Sequence, residues 1–102
     1  MQVSLSKRAK NKLERLLEYL ETEWSEKVKN DFITKLNRSI KQISFLPDIC
    51  PESNEFPGLY KCVVTKQTSI YYRIKNNEIE IITLFDNRQN PNKLKTEAKK
   101  EK

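Results

Sequence analysis

A chain of 102 residues with 33% charged and 36% hydrophobic side chains has room for one domain around one two-layer core. No apolar run approaches the ~20 residues of a membrane span, and the N-terminus lacks the apolar segment of a signal peptide, so the sequence reads as a soluble cytoplasmic domain. A net charge of +6 suits a polyanionic or acidic protein partner and equally serves solubility, while the absence of histidine leaves poor material for a zinc site; no cofactor is expected.

In chain order, Gln2–Leu5 reads as a short strand with Val3 and Leu5 turned inward. Ser6 is the expected N-cap, and Ala9, Leu13, Leu16, Leu17 and Leu20 then recur at helical spacing, a stripe that reads as core. This helix opens on Lys7, Arg8, Lys10, Lys12 and Arg15 and closes on Glu18, Glu21 and Glu23, which opposes the macrodipole at roughly 0.3–1 kcal/mol per misplaced exposed charge. That pattern fits an anionic partner or a solvated face with screened charges.

Trp24-Ser25 allows a tight reversal, with Ser25 capping a second helix. Val28, Phe32, Leu36, Ile40 and Ile43 form its apolar stripe, widened by Ile33 and Leu46, and Pro47 ends it. So short a connection predicts an antiparallel helix hairpin, which needs a sheet to lie on. Residues 47–58 hold three of the four prolines and the one glycine, and read as a surface loop with Glu52 and Glu55 solvated. Cys50 on this loop and Cys62 beyond it are expected to be free thiols in a reducing compartment.

Leu59–Thr65 reads as a strand with Tyr60, Cys62 and Val64 inward, because the opposite register buries Lys61. That choice sets Lys61 on the outer face beside Tyr71 and Arg73, and requires an odd-length turn or a bulge. Ser69–Lys75 and Glu78–Phe85 flank Asn76-Asn77, a pair suited to the positive φ angles of a type I′ turn. This turn sets Arg73 opposite Glu80, Tyr72 opposite Ile81 and Ile70 opposite Thr83. The Arg73–Glu80 pair is favourable by roughly 0.2–1 kcal/mol. One face then carries Ile70, Tyr72, Ile74, Ile79, Ile81 and Phe85 as core; the other carries Ser69, Tyr71, Arg73, Lys75, Glu78, Glu80, Ile82 and Leu84. The domain is expected over residues 1–91, followed at 92–102 by a basic, frayed tail.

The order strand, helix hairpin, loop, three antiparallel strands and basic tail, together with "SKRAKNKLERLLEYLETEW", "IKQISFLP", "LYKCVV", "IYYRI" and "LFDNRQNP", resembles the RelE/ParE superfamily of bacterial type II toxins. The resemblance spans roughly Val3 to Pro91. It implies an α+β fold, with an N-terminal strand and an antiparallel two-helix hairpin packed on an antiparallel sheet completed by three C-terminal strands. It also implies a small acidic antitoxin as partner. RelE-like members cut messenger RNA on the ribosome, which would assign Lys61 and Arg73 to charge stabilisation, Tyr71 to proton donation and Arg88 to support. Two departures count against this: Ser69 replaces the arginine common before an "IYY"-type run, and Asp86 replaces the histidine of an H-x-R ending. ParE-like members bind and poison DNA gyrase without a catalytic constellation, and the basic outer surface and the missing ribonuclease residues lean this way, with Arg88, Lys61 and Arg73 as target-binding candidates expected to share that one outer surface. A plain nucleic-acid-binding domain is a third reading. Structural alternatives stand beside two of these roles: Arg88 holding carbonyls where the last strand ends, and Tyr71 packed in place.

Overall fold

The computed structural model describes residues 1–88; the tail expected at 92–102 lies outside the described residues. Among the described residues the elements run β1 (Gln2–Leu5), α1 (Lys7–Glu23), α2 (Glu26–Phe45), β2 (Tyr60–Val63), β3 (Thr68–Lys75) and β4 (Glu78–Asp86). Both helix starts are set by the expected serines: the Ser6 and Ser25 hydroxyls accept from the backbone N–H groups of Ala9 and Val28, each at 3.0 Å. Ala9, Leu16 and Leu20 of α1 and Phe32, Leu36 and Ile43 of α2 are buried. Leu46 departs from its stripe and is 56% exposed, because α2 ends at Phe45, one residue before it. No helix of the described residues is long and apolar enough to cross a membrane.

The strands lie in the order β1-β4-β3-β2. β2, β3 and β4 are antiparallel as expected, whereas β1 joins β4 in parallel, so the sheet is mixed. Asn76 and Asn77 adopt φ angles of 54° and 60°, the pair of positive values a type I′ turn requires. Arg73 pairs with Glu80 and Tyr72 with Ile81, as that turn dictates. β2 takes the register with Lys61 opposite Tyr71 and Cys62 opposite Ile70, closed by a turn in which the Val64 N–H donates to the Thr68 carbonyl at 3.0 Å.

Beyond Tyr72 the expected hairpin register fails. Tyr71 pairs with Thr83 rather than with Ile82, which makes Ile82 the extra residue of a β-bulge. Ile70 therefore opposes Leu84, not Thr83. Leu84 moves from the outer face into the core at 3% exposure, and Phe85 moves from the core to the outer face. The physical reason is at the β1 end: β1 stops opposite Ile81, and Ser6 turns the chain into α1 while holding β4, its N–H donating to the Ile81 carbonyl at 2.9 Å and its hydroxyl to the Ile82 carbonyl at 2.6 Å. The bulge sits where the neighbouring strand leaves.

Candidate functional site

The outer face of β3 carries Ser69, Tyr71 and Arg73, with Lys61, Glu80 and Phe85 opposite or beside them. The loop between α2 and β2 folds over this face rather than standing off in solvent. Its shape is set locally: the Ser53 hydroxyl accepts from the Glu55 and Phe56 N–H groups at 3.1 Å each, and the Ser53 N–H donates to the Leu59 carbonyl at 2.7 Å. Gly58 completes the reversal at φ 86°, a left-handed value that a side chain would strain. These contacts drop Phe56 onto the sheet. Its ring lies parallel to Phe85 at 6.3 Å and meets Tyr71 edge-on at 5.1 Å, while Tyr71 and Phe85 meet edge-on at 5.8 Å.

Tyr71 is thereby buried, and its hydroxyl donates to Glu55 Oε2 at 2.7 Å. That hydrogen bond, aided by the Lys61 charge, holds the Glu55 carboxyl below its ordinary value against the opposing effect of partial burial. Burial first, then Glu55, pushes the Tyr71 phenol well above its ordinary value. The expected solvation of Glu55 is corrected accordingly: it is half-exposed but bound, to Tyr71 and to Lys61 Nζ at 3.4 Å. Lys61 also lies 5.9 Å from the Tyr71 ring centre. Arg73 is paired with Glu80 through Nη2 at 2.8 Å and Nε at 3.0 Å. From α1, Lys12 reaches the β4 edge, where Nζ sits 3.9 Å from the Phe85 ring centre and donates to the Leu84 carbonyl at 3.4 Å.

Arg88 lies elsewhere. Asp86 pairs with Thr68 on the helix side of the sheet, and its side chain is fully buried. The Thr68 hydroxyl donates to Asp86 Oδ2, the Arg88 N–H donates to Oδ1 at 2.8 Å, and the Arg88 guanidinium donates to both oxygens at 3.2 and 2.8 Å. The Arg88 carbonyl accepts from the Tyr19 hydroxyl of α1 at 2.9 Å, and its guanidinium lies 5.9 Å from the exposed Trp24 ring. Lys61, Tyr71 and Arg73 thus share the outer face, as their register implied, while Arg88 is fixed to the helical layer and does not join them. Its guanidinium binds a carboxylate rather than the carbonyls considered from sequence. Sequence reasoning missed Glu55, Phe56, Phe85 and Lys12 on the outer face, and Thr68 and Tyr19 at the Asp86 corner. The Asp-x-Arg spacing at a strand end was the one local signal that pointed to the second group.

A mixed sheet with a parallel N-terminal strand, covered on one face by a helix hairpin, is the architecture shared by RelE- and ParE-type toxins of type II toxin–antitoxin systems. The sequence from residue 3 to residue 91 matches the family described as "ParE toxin of type II toxin-antitoxin system, parDE", and the chain belongs to that family. Among solved structures, a chain of the chromosomal ParDE system from P. aeruginosa superposes with a TM-score of 0.66 at 15% identity, covering 84% of this chain and 95% of that one. A YoeB/ParE toxin from Agrobacterium tumefaciens gives 0.63 at 15% identity, with 84% and 98% covered. A chain of the YoeB-YefM complex from Staphylococcus aureus gives 0.59 at 13% identity, with 83% and 94% covered. A search of curated protein sequences found no match.

Proposed function

We propose that this ParE-family toxin acts as a binding protein rather than a nuclease, arresting growth by engaging and poisoning DNA gyrase until a small acidic antitoxin neutralises it. The observation that carries this reading is the state of Tyr71. Cleavage of RNA by its own 2′-hydroxyl needs a base, an acid for the leaving oxygen and positive charge at the phosphate. Tyr71 is buried under Phe56, its proton is committed to Glu55, and its phenol is a weaker acid than usual. Lys61 and Arg73 sit in exposed pairs with Glu55 and Glu80 that a partner of either kind can open, so the distinction rests on Tyr71. A surface whose rings are packed and whose phenol is committed is suited to protein recognition, where a preorganised patch needs no proton transfer. The net charge of +6 favours an acidic antitoxin, and similar folds have been solved as toxin–antitoxin complexes.

The ribosome-dependent messenger RNA endonuclease remains the alternative, because Lys61, Tyr71 and Arg73 do share one face and YoeB-named proteins share the fold. Induced expression with separate readouts of DNA and protein synthesis distinguishes the two. Early loss of DNA synthesis, relieved by co-expressing the adjacent small acidic protein, is expected. Early loss of protein synthesis with DNA synthesis continuing would favour the alternative, and normal growth with abundant protein would contradict toxicity altogether.

A further inference from the structure

Cys50 and Cys62 are twelve positions apart in sequence and fall on a loop and a strand, and an antiparallel bridge joins the two segments that carry them. Glu52 and Tyr60 form an antiparallel bridge along the free edge of β2. The bonds on either side of that bridge run from the Ser53 N–H to the Leu59 carbonyl at 2.7 Å and from the Lys61 N–H to the Pro51 carbonyl at 2.9 Å. This pattern makes Glu52/Tyr60 a non-hydrogen-bonded pair, the kind whose Cα atoms approach to about 4.5 Å. Pro51 has no N–H to return the bond from Lys61. Extended past its last observed bond, two residues back on the loop and two forward on β2, the same register sets Cys50 opposite Cys62 as the next pair of that kind. Disulfides span Cα separations of about 4.4–6.8 Å, so such a site needs little backbone movement to close.

Two further observations agree with the register. Both cysteines are free thiols, 9% and 8% exposed, and both belong to one hydrophobic cluster. Burial, and next the neighbouring Cys50, push the Cys62 thiol up to about 12.

We propose that Cys50 and Cys62 form a redox clasp: a dithiol at rest that hydrogen peroxide converts to an intramolecular disulfide, tying the loop to the edge of β2. Cys50, on the loop, is taken as the attacking thiol and Cys62, on the strand, as the resolving partner; the reverse order balances in the same way. The Cys50 sulfur attacks one peroxide oxygen, the O–O bond breaks, and the leaving hydroxide takes up the Cys50 proton as water. The resulting sulfenic acid is attacked at sulfur by Cys62, which loses its proton as the hydroxide leaves as a second water. Two thiols are oxidised by two electrons in all, and one peroxide is reduced to two waters. The same loop carries Glu55 and Phe56, so the clasp fixes the segment that covers Tyr71 on the outer face. This assignment is independent of which cellular target the toxin engages.

The test uses the purified full-length chain, native, treated with hydrogen peroxide and then analysed without reduction by intact mass and peptide mapping. The expected product has lost two hydrogens, links the Cys50 peptide to the Cys62 peptide, and reverts with dithiothreitol. Its loop between residues 47 and 59 should be cut by protease at least several-fold more slowly than in the dithiol form. Cys62→Ser should instead give an oxygen adduct at Cys50; if that variant misfolds, the linkage map of the parent chain decides by itself. Oxygen adducts on separate cysteines without linked peptides would overturn the proposal. So would a folded chain that stays unmodified while the urea-unfolded chain oxidises.

Discussion

The outer face of the sheet and the corner after β4 solve the same problem, a basic side chain set against a carboxylate, in opposite surroundings. On the outer face Lys61–Glu55 and Arg73–Glu80 are about a third to a half exposed, held by one or two bonds and screened by solvent. At the corner Asp86 is fully buried, Arg88 is 16% exposed, and the carboxylate collects four donors. An exposed pair can exchange its partner for a new one at small cost. A buried pair cannot, because separating it strands a charge in a low dielectric. On the proposed reading the target competes at the outer face, whereas the corner fastens the segment just after β4 to α1 through Tyr19.

The largest effect is expected at the corner. Asp86→Ala removes the acceptor of every one of those bonds and leaves Arg88 and Thr68 unpaired, a loss of about 3 kcal/mol or more. Urea unfolding should register it. Arg88→Ala should cost somewhat less, since Thr68 and the backbone N–H still bond Asp86, and should weaken toxicity in step with stability. If Arg88→Ala abolishes toxicity at unchanged stability, Arg88 is a contact residue and the contrast between the two regions breaks.

Phe56→Ala comes next. It removes both ring contacts of Phe56, each worth about 0.5–1.5 kcal/mol beyond area, and uncovers Tyr71. Thermal unfolding should fall accordingly, and protease cleavage between residues 47 and 59 should accelerate. Lys61→Ala and Arg73→Ala should each change stability by no more than about 1 kcal/mol, with graded effects on toxicity and on its salt dependence. A loss as large as that of Asp86→Ala would show that the outer pairs are not interchangeable.

The smallest effect is in titration. The Tyr71 and Tyr72 phenols are raised above their ordinary value of 10.0, both chiefly by burial. Their contribution to stability is present below pH 10.0 and is lost as the pH climbs above it, when the unfolded chain ionises first. Tyrosinate absorbance should therefore lag until alkaline unfolding, and Tyr71→Phe should remove part of the lagging amplitude. Glu55 has the opposite sign. Its carboxyl is held below 4.5, so the tie to Tyr71 is intact above that pH and is lost as the pH falls through the lower folded value.

What was legible in the sequence follows the range of the interaction. Ser6, Ser25 and Asn76-Asn77 act on their own neighbours, and both helix stripes repeat along one element, so helices and hairpin turn were readable. The bulge at Ile82 was not, because Ile81, Ile82, Leu84 and Phe85 are all apolar and either register buries enough of them. Its cause, the departure of β1, lies 76 residues away in the Ser6–Ile82 bond. Phe56 over Tyr71 depends on the path of a loop whose composition marks it as loop and nothing more. Lys61 beside Tyr71 was readable because burying a lysine is costly, a constraint that works without knowing the partner. Arg88 was misplaced because strand direction alone does not show which layer a side chain enters once Asp86 has turned inward.

On the proposed reading the outer face binds a target and does not cut RNA. Mapping message ends by primer extension, in cells where the toxin has just been induced, separates the two. No defined cuts within translated messages are expected, in the parent or in Lys61→Ala, Tyr71→Phe and Arg73→Ala. Discrete cuts in the parent that vanish in those variants would contradict that reading and establish the outer face as a nuclease site.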